Sequence, residues 1–141
     1  MLAVPQPGAT RPRVLSVLTA ARRPLQEVPI ADLPWTERAL ASRTAGLEVV
    51  NLHSPISPSP QLAKVLTHGA IYAHLVRGSG PRLVCGDLNT PRREHPDGTV
   101  WTFARTRSGK LRPDRGEPWD RAELALIKGM EPYGANLSIP G

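Results

Sequence analysis

Apolar positions in this chain come in short runs set between Pro- and Gly-rich breaks, and their period changes from run to run. Residues 14–18 alternate and branch like a strand. Residues 47–52, with Val49 and Val50 at the centre, form a second β-type run that Pro55 stops. Residues 38–42 read as its hairpin partner through a turn at Thr44, Ala45 and Gly46. The competing reading is a short helix capped by Asp32, with Pro34 in its first turn. A third run, residues 83–85, ends at Gly86, where the backbone is expected to turn sharply.

Between the second and third runs, Leu62, Val65, Leu66, Gly69, Ala73 and Val76 recur at steps of three or four. That spacing predicts an amphipathic helix with this stripe as its buried face, ended by Gly78 and Gly80. Lys64, His68 and Arg77 fall mostly off the stripe. His68 and His74 therefore read as surface or partly buried histidines rather than ligands. Further on, residues 91–98 form a polar loop with a turn at Asp97 and Gly98. Residues 99–104 alternate like a strand, and Ser108 and Gly109 turn the chain back toward Leu111. This is either an arm over a substrate-binding rim or a piece that completes the core with Trp101 and Phe103. A helix is expected from Trp119, with Asp120 capping the Glu123 amide, Glu123 reaching back and Trp119 packed on Leu124. Leu124 and Ile127 would face inward and Gly129 would stop it. Asp120 and Glu123 are thereby accounted for structurally.

The order strand, helix, strand around residues 47–85 implies an α/β (α+β) fold. The crossover rule makes the two strands parallel, with their carboxyl ends on one side. An antiparallel or sandwich arrangement is the alternative. Chemistry in open α/β sheets gathers at such ends. His53 closes one run, and Asp87 and Asn89 follow the other. A carboxylate holds a divalent cation or takes a proton from water, and an amide orients a phosphoryl oxygen. The plain alternative is an Asx-rich turn, since Gly, Asp, Asn and Pro are ordinary turn formers.

Gly86-Asp87-Leu88-Asn89 and Asn51-Leu52-His53-Ser54-Pro55 together resemble two motifs of the exonuclease/endonuclease/phosphatase (DNase I-like) superfamily. The resemblance covers residues 13–133, with only these two motifs specific. It implies a hydrolase acting on phosphate esters, either a nuclease (phosphodiesterase) or a phosphatase, on a DNase I-like β-sandwich with flanking helices. It also implies a divalent metal, Mg²⁺ or Mn²⁺, with Asp87 as ligand. Asp87 would activate or position water, Asn89 would hold the scissile phosphate, and His53 would contact phosphate or act as acid or base. Arg92 and Arg93 would meet substrate phosphates. The family opens with an asparagine strand and a metal-glutamate strand and closes with an Asp-His pair, none of which is recognised here. Leu25-Gln26-Glu27-Val28 spells the glutamate motif, but Glu27 precedes His53 by only 26 residues. Glu27 is therefore expected to be an exposed loop acid. The expectation is a disordered segment at 1–12 and a partial domain at 13–141, weakly active or inactive as this chain alone.

Composition adds modestly to this picture. The 141 residues suffice for one domain with one core. A formal charge of +6 suits a polyanionic partner such as nucleic acid. The alternative function is accordingly a non-catalytic basic nucleic-acid-binding module built on Arg92, Arg93, Arg105, Arg107 and Arg112. Aromatic residues, 4%, are too few for a stacking platform. Cys85, alone of its type, permits no intrachain disulfide and is expected to face the core. With no signal-peptide pattern and no membrane-length apolar run, the expected location is cytoplasmic.

Overall fold

The computed structural model describes residues 2–3, 16–56 and 62–128. In chain order the strands and helices are β1 (Leu2–Ala3), β2 (Leu18–Thr19), β3 (Gln26–Val28), a 3₁₀ turn (Thr36–Arg38), β4 (Ala39–Thr44), β5 (Leu47–His53), α1 (Ala63–Arg77), β6 (Arg82–Asp87), β7 (Arg93–Glu94), β8 (Val100–Trp101) and α2 (Gly116–Lys128). Four strands form one mixed sheet in the order β3-β4-β5-β6. The first two pairings are antiparallel and β5–β6 is parallel, so the chain is a mixed α/β structure. Two residues, Ala45 (φ 48°) and Gly46 (φ 81°), close the β4–β5 hairpin. Positive φ at both is what a tight hairpin turn demands. Both readings of residues 32–42 hold a piece of the answer: the hairpin is there, and a single 3₁₀ turn precedes it. Asp32, at φ 61°, caps no helix.

One face of the sheet carries the core. Ala39, Ala41, Val50 and Leu52 pack with Ile71 of α1, and Leu33, Val84, Leu88 and Leu126 of α2 press against them. The other face is partly open, with Leu83 49% exposed. Register fixes this, because Val84 lies beside Val50 and its neighbours must point the opposite way. Cys85 is therefore exposed, contrary to the expectation that it faces the core.

Helix α1 is turned over relative to the sequence prediction. Its buried residues are Ala63, Lys64, Thr67, His68, Ala70 and Ile71. Leu62 (54%), Leu66 (51%) and Val76 (38%) face outward. Hydrophobic spacing failed here because the inward face is built from small residues and from polar groups whose partners come from distant parts of the chain. Lys64 and His68, which fall mostly off the predicted buried stripe, are 1% and 0% exposed.

Helix α2 begins at Gly116, ahead of the predicted start, so Asp120 and Glu123 sit inside it rather than at its cap. Asp120 instead accepts hydrogen bonds from Thr102 and Arg105, pinning the 99–112 segment to α2. Trp119 and Ala125 are buried, whereas Leu124 and Ile127 are only half-buried. The strand expected at residues 99–104 is limited to β8, which pairs with β7 around the Asp97–Gly98 turn. An isolated bridge from Arg105 to Leu111 marks the second reversal. Of the strand expected at 14–18, residues 14 and 15 lie outside the described residues, and among 16–18 Leu18 is in a strand, β2, which pairs with β1. Met1, residues 4–15, 57–61 and 129–141, including Gly129 and most of the predicted disordered segment, lie outside the described residues. No helix among the described residues is long and apolar enough to cross a membrane.

Candidate active site at the carboxyl ends of β5 and β6

The last register pair of the parallel β5–β6 ladder is His53 beside Asp87. Adjacent strands stand about 4.8 Å apart, so imidazole and carboxylate rise from neighbouring backbone positions on one rim. The Ser54 N–H extends the ladder by donating to the Asp87 carbonyl at 2.7 Å. Gly86 does not turn the chain as expected. It stays in β6 at φ 115°, where a Cβ would collide with the Leu52 carbonyl oxygen. Glycine is required here because β5 and β6 approach closely just before the rim.

Beyond Asp87 the chain bends into a loop. The Asn89 N–H donates to Asp87 Oδ1 at 2.9 Å, an Asx-turn that orients the carboxylate and leaves Oδ2 open. Asn89 itself sits at φ 48°. Its Nδ2 donates to the Ser54 carbonyl at 2.7 Å, spanning the gap between the two strand ends. One side-chain N–H of Asn89 is thereby committed and one remains. The three residues singled out in the sequence, His53, Asp87 and Asn89, thus meet at one rim, with Asp87 exposed and the other two half-buried.

Beneath the loop lies a buried layer that the sequence reading missed. Lys64 Nζ donates to the Asn89 carbonyl at 2.7 Å and pairs with Glu123 Oε1 at 3.0 Å. Both side chains are 0% exposed. Burial pulls the Lys64 pKa down, opposed by the charge and hydrogen bond of Glu123 and by the Asp87 carboxylate. Glu123 also accepts from Thr90 Oγ1 (2.8 Å), the Phe103 N–H (2.8 Å) and Trp119 Nε1 (2.7 Å). One carboxylate therefore fastens the rim loop, the 99–112 segment and α2 together. Trp119, four residues earlier on the same helix face, was the one local sign that position 123 faces inward.

His68 occupies the same layer. Its Nδ1–H donates to the Ala122 carbonyl at 3.2 Å, so Nε2 is free to accept the Ser54 hydroxyl at 2.8 Å. Burial, then the Lys64 charge, lowers its pKa to about 4, so it is neutral at pH 7. Ser54 is fully buried, which makes this pair a support for the rim rather than an attacking group.

The two arginines part company. Arg92 is bound into the β7–β8 arm, its N–H donating to the Trp101 carbonyl and Nη1 to the Arg105 carbonyl. Arg93 is exposed in β7. Glu27 is exposed but lies in β3 opposite Ser42, not in a loop. Among the described residues no group of three or more His, Cys, Asp and Glu side chains is placed to hold a metal ion. Asp87 alone gives a hard cation one carboxylate, whereas Mg²⁺ is typically held by one or two carboxylates together with waters and substrate phosphates. At this rim Asp87 thus offers one carboxylate ligand, with the rest of a cation's shell left to other oxygens. The chain matches no family model, no curated protein and no solved structure.

Proposed function

We propose that this chain is part of a metal-dependent phosphoesterase, a nuclease or phosphatase of the exonuclease/endonuclease/phosphatase kind, with its reacting groups at the β5–β6 rim. The observation that carries the reading is the parallel register that sets His53 beside Asp87, with Asn89 tied to Ser54 across the same gap. In this reading Asp87 takes the proton of the attacking water or positions that water. Asn89 gives its remaining side-chain N–H to the phosphate, and His53 contacts the phosphate or transfers a proton. Arg93, the exposed member of the arginine pair, meets flanking phosphates. The mixed sheet would be one layer of a DNase I-like sandwich, with the second layer on the Leu83 side. Mg²⁺ or Mn²⁺ would take Asp87 as one ligand and require others from beyond the described residues.

Two measurements test this. Hydrolysis of a phosphodiester should be weak, depend on Mg²⁺ or Mn²⁺ and vanish in Asp87→Ala. Undiminished turnover in that variant would refute the assignment. Independently of turnover, Mn²⁺ should broaden the NMR signals of residues 53, 87 and 89 in the parent chain and spare them in Asp87→Ala. Equal broadening in both would remove Asp87 as a ligand.

A second reading, a basic nucleic-acid-binding module without catalysis, draws on the exposed Arg93, Arg107 and Lys110 of the arm beside the rim. It expects salt-sensitive binding to DNA or RNA that ignores Mg²⁺ and Asp87→Asn. Filter binding across a salt series separates the two.

A further inference from the structure

At the opposite end of β5 from the rim lies a cavity of about 390 Å³, between the carboxyl-terminal half of α1, β3 and the loop at residues 29–32. Its floor is Glu48, whose side chain is 5% exposed and ion-paired with Arg43 (2.7 Å), His74 (2.8 Å) and Arg82 (3.2 Å). Two guanidiniums and the His74 ring on one carboxylate leave positive charge unspent. Arg77 also lines the cavity and has no hydrogen bond or ion pair among the described residues. The opposing charge is Asp32, so three guanidiniums and His74 face two carboxylates.

The donors divide clearly. Arg82 is engaged at all three nitrogens, giving Nε to Glu48, Nη1 to the Leu75 carbonyl and Nη2 to the Ser79 carbonyl. In doing so it covers carbonyls at the end of α1 whose negative partial charge would otherwise repel an anion. Arg43 commits only Nη2 and is half exposed. Arg43 and the exposed Arg77 thus both line this concavity with guanidinium N–H groups that have no acceptor among the described residues, donors of the kind that phosphate oxygens accept in pairs. The remaining wall, Val28, Pro29 and Ala73, is apolar. The volume is in the range of small-molecule sites and exceeds what a bare phosphate fills.

We propose that this cavity is a binding site for a small phosphomonoester, with Arg43 and Arg77 holding the phosphate and the Val28–Pro29 wall receiving the organic body. The site stands apart from the β5–β6 rim and does not depend on the rim's chemistry. Glu48 sets the guanidiniums in place without touching the ligand.

Titration calorimetry of the full chain with inorganic phosphate and with a nucleoside 5′-monophosphate tests it. Both should bind saturably, the ester more tightly. Arg77→Ala should weaken both about tenfold, and Arg43→Ala/Arg77→Ala further, as loss of charge-assisted hydrogen bonds implies. Titrated phosphate should shift the amide NMR signals of residues 43 and 77 with the same affinity as the calorimetry reads. Absence of saturable binding, or parent-like affinity in the double arginine variant, would overturn the site. Equal affinity for phosphate and ester would overturn the ester assignment. Shifts confined to residues 53, 87 and 89 would move the anion to the rim and overturn the cavity site.

Discussion

Glu48 and Glu123 are both carboxylates taken out of solvent, and the two ends of the molecule differ in how they neutralise them. Glu48 gathers Arg43, His74 and Arg82. Burial pushes its carboxyl up, but the hydrogen bonds of Arg43 and His74 and the charges of His74 and Arg82 outweigh that and hold it below the ordinary value. Glu123 has one cation, Lys64, and three neutral donors. The first arrangement leaves surplus positive charge facing a cavity. The second is closed, with no charge left over and no water access. A buried carboxylate with many cations is thus suited to receive an anion, while one with a single cation and satisfied oxygens is suited to fix a loop. Asn89 hangs on that second device through Lys64.

The sharpest way to break the contrast is Glu123→Ala. It strands the Lys64 ammonium and should cost about 3–5 kcal/mol in urea unfolding, the range for removing one partner of a buried pair. Lys64→Met/Glu123→Leu should recover part of that loss by removing the stranded charge, the remainder being the Thr90, Phe103 and Trp119 donors left without their acceptor. If the double variant is no better than the single, the pair is not the closed unit described here.

A somewhat smaller effect is expected from pH. His68 is lowered from 6.5 to about 4 in the fold, so the unfolded chain binds the proton more readily between those values. Stability is therefore fully present above pH 6.5 and is lost as pH falls toward 4, by roughly 3 kcal/mol in all. Denaturant melts from pH 7 to 4.5 should show that slope, and His68→Gln should flatten it. An unchanged slope in His68→Gln would assign the acid sensitivity elsewhere.

At the other carboxylate, Glu48→Gln should cost less, about 1–2 kcal/mol by thermal melting, because Arg43 reaches solvent when released. A loss as large as that of Glu123→Ala would erase the distinction between the two sites. Smallest of all is Leu66→Glu on the outward face of α1. It should shift stability by no more than ~0.5 kcal/mol, as surface changes do. A larger loss would mean that this face is covered.

What the sequence made legible was local. Gly86-Asp87-Leu88-Asn89 and the His53 strand end are contiguous, and the strand–helix–strand order between them implies one rim by a rule of handedness. The β4–β5 hairpin was equally readable, because Ala45-Gly46 follows a run that alternates against Val49 and Val50. What stayed hidden was non-local. Lys64 and His68 fall off the apolar stripe and Glu123 reads as part of a helix cap until α2 is laid against α1, and apart from Trp119 nothing near them in the chain points to that contact. The same cause inverted α1, whose leucines advertise a core that its small and polar residues occupy instead. Asp120 and Glu123 have the spacing of a capping box, with Trp119 set to pack on Leu124, but the helix already begins at Gly116 and both carboxylates lie within it.

Among the described residues, β6 is laddered along one side alone, to β5. Its outer backbone amides and carbonyls are a vacant seam, and Asp87 rides at the tip of that half-anchored ribbon. The stiffness of the carboxylate is therefore set from the left and open to adjustment from the right. Whatever strand zips onto that margin would tune, through main-chain bonds alone, how steadily the acid is aimed.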